Sequence, residues 1–578
     1  MARVAGLPAI LAGAALLAAL PGRQAPPKFY PDRWVFVFLP LASDAQVDQI
    51  REIARTASAH GLNGMVLTGS LDTLDRQSEP FFQRLEQVRR IAAENSLEII
   101  PTLFSAGYGG AVLARNPNLA EGLPVKDALF VVSGGQARLQ PDPPVGFVNG
   151  GFEQYSGNSF PGFVFHDRPG EVSFADTRVV HGGRASIRFE NFGRYEYGHG
   201  RLMQEVQVHP WRCYRVSAWV KTEALAPTWA FNFMALDTNG KALSYMTPEI
   251  PPTGDWQQIH FGFNSAAGGV VRIYAGVWEG RGGRFWLDDL EIREAGLTNV
   301  LRRSGTPLAV RGEANGVVYE EGRDYSRVAD PQLNFRFDHN GPPVGIPAGS
   351  RITEGERLRV SWYHGTSIYQ GQVVLCMSEP EVYEIWADQA RRLHETMAPR
   401  RYLLSMDEIR MGGTCEACKR RGLTMAQILG DCFTRQVGIL RGVNPSAEIL
   451  TWSDMLDPNH NAVPDYYLVD GDFTGSWEYV PGDLGIMCWY YERRRESLAH
   501  FSGFGFRTWA GAYYDGDTLE NPAGWLAALD ETPGATGIMY TTWENKYGLL
   551  GPFGDLVSRH WRQAPSESPR EPWPRQER

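Results

Sequence analysis

The sequence predicts a multidomain fold of mixed class: α/β plus all-β, with a (β/α)8 TIM barrel interrupted after strand three by a β-sandwich and a smaller β-rich segment. Three observations carry this. Strand–helix alternation opens the chain, stops after Tyr108 and resumes at Ser378. The stretch between reads as short alternating segments separated by Gly, Pro, Asn and Asp, the pattern of a sandwich. Three strands before that stretch and five after it make eight, the number that closes such a barrel.

Each element has its own warrant. Trp34–Pro40 is a continuous apolar run, as for a strand buried on both faces. Val47, Ile50, Ile53, Ala54 and Ala57 then share one helical face. A second strand at Gly64–Gly69, a helix at Phe81–Asn95 and a third strand at Leu97–Phe104 complete a βαβαβ unit with a parallel sheet. ASIRFENF, CYRVSAWVK, QQIHFGF, VVRIYAGVW and RFWLDDLEI mark the sandwich. Ser378 to Glu381 reads as a capping box opening a helix to Met397, and Thr424 to Gln427 opens a helix to Leu440. Strands follow at Tyr402–Met406, Glu448–Trp452, Gly485–Tyr490, Arg507–Tyr514 and Gly537–Thr542. The expected organisation is a leader at 1–25, barrel at 26–125, sandwich at 144–296, the small β-rich segment at 297–360, barrel again at 361–562 and a disordered tail at 563–578.

Composition narrows the function. The 578 residues are 43% hydrophobic and 21% charged, enough apolar surface for packed cores. A net charge of −10 argues against nucleic acid as a partner. Aromatic residues reach 12%, with 17 Trp, which suits either sandwich cores or stacking on sugar rings. Residues 1–25 read as an export signal: Arg3, then an Ala/Leu-rich run from Val4 to Leu20, then small residues up to Ala25. The expected location is therefore exported, periplasmic or secreted, with no transmembrane segment after signal removal. Six cysteines are too few for a disulfide scaffold. Cys415 and Cys418 form a CxxC, a redox pair or half of a zinc site, but no second CxxC or HxxxH completes a four-ligand set.

Active sites of such barrels lie at the C-terminal ends of the strands. Those ends read Asp407-Glu408, Trp452-Ser453-Asp454, Trp489-Tyr490-Tyr491-Glu492, Tyr513-Tyr514-Asp515 and Trp543-Glu544. Every one carries a carboxylate and nearly every one an aromatic. Glycoside hydrolysis needs both: one carboxylic acid protonates the leaving oxygen and a second group supports the oxocarbenium-like centre. Adjacent carboxylates also push one pKa upward, as a general acid requires. His364 is a further candidate for the lining.

On these strings the barrel half resembles the family 20 glycoside hydrolases, the β-N-acetylhexosaminidases, and their clan. Asp407-Glu408 matches the family's Asp-Glu after strand four, Trp452, Trp489 and Trp543 its later Trp residues, Tyr513-Tyr514-Asp515 its Tyr-x-Asp, and Trp543-Glu544 its closing Trp and Glu. The resemblance implies Glu408 as general acid/base, Asp407 as orienter of a substrate 2-acetamido group and Tyr513 as its hydrogen-bond partner. Leu403 to Met406 replaces the family's His-x-Gly-Gly, and Trp543-Glu544 lacks the usual spacer. The inserted region resembles jelly-roll carbohydrate-binding modules through Asn149–Glu153, Gly182-Gly183, Gly254-Asp255-Trp256 and Phe285–Asp289. That resemblance implies Glu153 with Asp288 or Asp289 as ligands of a structural Ca²⁺, a hard cation that takes oxygen.

The expectation is thus an exported glycoside hydrolase with a carbohydrate substrate. Glu408 and Asp407 are its catalytic pair, and Trp452, Asp454, Trp489, Tyr513, Asp515, Trp543 and Glu544 bind substrate. No cofactor serves catalysis. A double displacement would instead use Glu544 or Asp515 as nucleophile. The alternative class is a non-catalytic carbohydrate-binding surface protein.

Overall fold

The computed structural model describes residues 30–560; the predicted export signal and the tail at 563–578 lie outside the described residues. Eight parallel strands close into a barrel. They are β1 (Asp32–Phe38), β2 (Gly64–Thr68), β3 (Glu98–Leu103), β4 (Arg401–Leu404), β5 (Glu448–Trp452), β6 (Gly485–Cys488), β7 (Thr508–Tyr513) and β8 (Ala535–Thr541). β8 pairs back onto β1, Trp34 opposite Met539. Around them pack α1 (Asp44–Ala59), α2 (Glu79–Glu94), α3 (Pro380–Met397), α4 (Met425–Val443), α5 (Arg494–Gly503), α6 (Glu520–Asp530) and α7 (Leu550–Arg559).

The TIM-barrel expectation needs correction. A closed barrel of eight parallel strands accompanied by antiparallel sheets is present, but the one-helix-per-strand alternation of a (β/α)8 barrel is not kept. After β5 the chain reaches β6 through two 3-10 turns, Asp454–Leu456 and Ser476–Glu478, and a two-residue strand, with no α-helix. Met455, Leu456 and Phe473 are buried there, so the apolar cover that a helix would give comes from an irregular loop. After β3 the chain leaves for three antiparallel sheets before it returns at α3. The Ser378 capping box is also absent: the N-cap of α3 is Glu379, with no side-chain cap, whereas Thr424 and Gln427 do form one on α4.

Strand parity sets the interior. Trp34, Phe36, Val66, Ile100, Leu403, Leu450, Trp452, Met487, Trp509 and Met539 form one buried cluster inside the barrel. Their neighbours Val35, Val37, Met65, Leu67, Ile449, Ile486 and Ile538 belong to the core under the helices. Alternation in a strand dictates this division. At the N-terminal end of the barrel, Arg401 gathers three carboxylates. Its Nη1 lies 3.1 Å from Asp32 and 3.0 Å from Glu98, and its Nε 2.6 Å from Glu448. Trp509 Nε1 donates to the other oxygen of Asp32 at 3.0 Å.

The inserted region holds two five-stranded sheets, one centred on Cys213–Ala226 and Gly282–Glu294, the other on Phe231–Leu236, Val270–Val277 and Gly200–Gln207. The β-rich segment at 297–360 is not self-contained. Its strand Arg357–His364 pairs with Leu123–Ser133, from the other side of the sandwich in sequence, His364 opposite Leu123. The region between β3 and β4 is therefore nested: one split sheet encloses the sandwich, while Leu103 and Leu404 still pair within the barrel.

Candidate functional site

The C-terminal mouth of the barrel holds a cavity of about 600 Å³. Of the sequence-predicted residues, Asp407, Glu408, Trp452, Trp489 and Trp543 line it, with Phe36, Phe38, Asp72, Tyr108, Tyr369 and Tyr514. The inward parity of Leu403 on β4 continues through Ser405 to Asp407, which explains how the acid reaches the cavity. One wall is aromatic: Trp543 packs on Phe36 at 4.9 Å and on Phe38 at 5.8 Å, and Phe36 meets Trp452 at 6.0 Å. Trp489 stacks on Tyr514 at 5.7 Å with planes 8° apart. These rings offer flat apolar faces with polar edges.

The floor is acidic. Asp454 is buried below the mouth: its Oδ2 accepts the backbone N–H of Glu408 and the Asn461 amide, both at 2.8 Å, and its Oδ1 accepts Trp489 Nε1 at 3.4 Å. Burial, and then the charge of Asp407, push the Asp454 carboxyl above the usual carboxylate range. Burial, then the charge of Glu408, do the same to Asp407, and the Ser405 hydroxyl it accepts at 3.2 Å only partly offsets this. Glu408 has a different environment. Its Oε1 pairs with Arg410 Nη2 at 2.7 Å and its Oε2 accepts the Tyr108 hydroxyl. Arg410 sits over the rings of Tyr369 and Tyr467, at 4.4 and 5.2 Å, and Gln372 Nε2 donates to the Glu408 carbonyl at 2.7 Å. Glu408 has φ +52°, a left-handed conformation that costs a non-glycine residue about 1–3 kcal/mol. The surrounding contacts hold it there, so the pair is set at an angle that a relaxed strand end would not give.

The remaining predicted residues lie elsewhere. Tyr513 is buried and stacks on Tyr540 at 4.1 Å, facing the helices. It has φ +84°, which breaks strand alternation and turns Tyr514 into the cavity in its place. Asp515 braces the loop after β8, accepting the Thr542 hydroxyl and the Trp543 N–H, the latter at 2.8 Å. Glu544 has a side chain 64% exposed and pairs with Lys546 at 2.6 Å. His364 is buried away from the mouth, bonded to Asn264 at 3.0 Å, and burial lowers its pKa to about 4. Sequence reasoning passed over Tyr108, Arg410, Gln372 and Tyr514. Arg410 stands two residues beyond Glu408, but that segment lies past the end of β4 and Glu408 is left-handed, so no strand period places it.

In the sandwich, Glu153, Asp288 and Asp289 converge on the Gly182-Gly183 turn. Glu153 Oε1 accepts the N–H of Arg184 at 2.7 Å and of Ala185 at 3.3 Å, and Arg184 Nε meets Oε2 at 3.2 Å. Asp288 Oδ2 accepts the N–H of His181 and Gly182, and Asp289 Oδ2 meets His181 Nδ1 at 2.6 Å. A Cβ on Gly183, at φ +60°, would stand 2.0 Å from Glu153 Oε1. The carboxylates predicted to hold Ca²⁺ thus converge on one turn, where they carry N–H donors and a guanidinium. All six cysteines are buried and free.

No family model matches this chain, so the resemblance to the β-N-acetylhexosaminidases gains no support there, and no curated protein matches either. Among solved structures, similarity is found to a family 61 carbohydrate-binding module, TmCBM61, solved in complex with β-1,4-galactotriose (19% identity, 26% of this chain and 97% of that one, TM-score 0.20). A CBM4 structure (17%, 26% and 99%, TM-score 0.19) and the CBM22-1 xylan-binding domain of Xyn10C from Paenibacillus barcinonensis (17%, 25% and 90%, TM-score 0.18) are also similar. No helix among the described residues is long and apolar enough to cross a membrane.

Proposed function

We propose that the barrel mouth binds a carbohydrate and that Asp407 and Glu408 hydrolyse a glycosidic bond there. The observation that carries this reading is a half-buried carboxyl lining the cavity, its pKa raised by burial and by a neighbouring charge, beside a second, ion-paired carboxylate and facing an aromatic wall. The sequence-based expectation gave the proton to Glu408. The surroundings favour the reverse division. Asp407 is desolvated and next to a like charge, so it is the proton donor to the leaving oxygen. Glu408, held by Arg410 and Tyr108, supplies negative charge to the oxocarbenium-like centre. Asp454 fixes the Glu408 backbone and acts as a positioning residue.

The test uses the full chain on aryl glycosides, N-acetylglucosaminide and N-acetylgalactosaminide included, with calorimetric titration of oligosaccharides alongside. Turnover is the expected result. Binding with no turnover would reduce the protein to a carbohydrate-binding one, and neither would overturn the reading. A further prediction concerns Gly107. A Cβ there would lie 2.1 Å from the Asp407 carbonyl oxygen, a backbone atom that cannot step aside alone. Gly107→Ala should therefore shift the catalytic loop and lower kcat/KM by about 10²-fold, as misplacement by about 1 Å does elsewhere. Gly110→Ala, with nothing within 4 Å of its Cβ, should leave kcat/KM unchanged.

A further inference from the structure

Behind the catalytic loop, four side chains from distant parts of the chain aim their ligand atoms at one point. Cys376 Sγ lies 3.4 Å from Cys415 Sγ and 3.7 Å from Cys418 Sγ. Glu121 Oε2 lies 3.6 Å from Cys415 Sγ and 3.7 Å from Cys418 Sγ. All four residues are buried, and their ligand atoms fall within 4.8 Å of one another. Metal–ligand lengths of about 2.3 Å for thiolate and 2.1 Å for carboxylate give tetrahedral edges of about 3.8 Å between sulfurs and 3.6 Å from sulfur to oxygen. Each measured separation falls within about 0.4 Å of those edges.

We propose that Glu121, Cys376, Cys415 and Cys418 bind one zinc-class cation in a closed, structural site. Thiolates select such a metal over Ca²⁺ or Mg²⁺. Four protein ligands leave no open position for substrate, so the site does no chemistry itself. The surroundings are prepared for it. Glu121 Oε1 accepts the N–H groups of Thr414 and Cys415, at 3.0 and 2.9 Å, and the Thr414 hydroxyl at 2.9 Å, which turns Oε2 to the thiols. Such outer contacts orient ligands in metal sites. Arg303 Nη2, 3.8 Å from Cys415 Sγ, offsets part of the negative charge left by three thiolates and a carboxylate around a dication. A disulfide would join only two of these sulfurs and leave a thiol and a carboxylate buried against it. The cation clips three segments together: the chain entering the inserted region at Glu121, the chain leaving it at Cys376, and the loop after β4 that carries Asp407 and Glu408. Gln372, four residues before Cys376, is the residue that holds the Glu408 carbonyl.

The experiment is elemental analysis of the full chain, purified without chelator after expression with added zinc. One zinc per chain that survives dialysis is expected. Glu121→Cys should retain it and Cys418→Ser should lose it. Should the variants fail to fold, cobalt substitution of the unaltered chain decides: intense thiolate-to-cobalt bands of a tetrahedral ion support the site. Metal-free protein with a disulfide among Cys376, Cys415 and Cys418, or with three free thiols and no cobalt uptake, overturns it.

Discussion

Asp407→Asn is expected to lower kcat/KM by about 10²–10⁴-fold on sugars with poor leaving groups, the range that a positioned proton donor contributes. With activated aryl leaving groups, which depart without protonation, the loss should shrink. Glu408→Gln should reduce turnover for every leaving group alike, because charge at the anomeric centre is needed whatever departs. Comparing the two variants over a leaving-group series separates the roles. If Glu408→Gln shows the leaving-group dependence, the proton belongs to Glu408, as the sequence alone suggested. The pH profile gives a second readout. Asp407 must be protonated to act, and burial together with the charge of Glu408 raises its pKa. Activity should persist above the ordinary carboxylate range and fall as pH rises through that raised value. In Asp407→Asn this alkaline limb should vanish.

Arg401→Met should have the largest effect on stability, about 3–5 kcal/mol, measured by guanidinium unfolding with an unchanged m-value. Arg401 is one cation among Asp32, Glu98 and Glu448, with its side chain only 14% exposed. Removing it leaves Asp32 buried without its ion pair, while Glu98 keeps Arg400 and Glu448 keeps Arg507. The pH dependence follows from Glu448. Burial raises its pKa, but the Arg401 bond and charge, helped by Arg507, outweigh that and hold it below the usual value. A depressed native pKa contributes stability above the unfolded value and loses it as pH falls through the native one. The wild type should lose that contribution in acid, and Arg401→Met should have little of it to lose. Adding Asp32→Asn and Glu448→Gln to Arg401→Met should restore part of the difference.

Much of the architecture was legible because strand parity is local. The alternation of Trp34 and Phe36 with Val35 and Val37, and the run from Leu403 to Asp407, follow from side-chain period alone. Three things did not show in the apolar pattern. Tyr513 and Tyr514 exchange sides because of a left-handed residue at a strand end, and no pattern of apolar residues announces a positive φ at tyrosine. The helix missing between β5 and β6 was invisible for a related reason: Met455, Leu456 and Phe473 supply apolar cover without helical period. The cysteine cluster escaped because spacing rules look for ligands in short repeats. Here Cys376 lies 39 residues from Cys415, and Glu121 lies 294 residues from it. Only the nested topology brings them together.

That nesting also bears on the order in which the chain folds. Leu103 must find Leu404 across about 300 residues before the barrel can close, a costly loop if the chain between is disordered. Once Leu123 and His364 have paired, the free length falls to about 60 residues, which lowers the closure cost by about 1.4 kcal/mol. The first three barrel strands leave the ribosome with β3 paired to β2 on one edge and its other edge open until β4 follows the inserted region. The economical route is for that region to collapse first and act as a splint, so that β4 is delivered to β3 by a structure already formed.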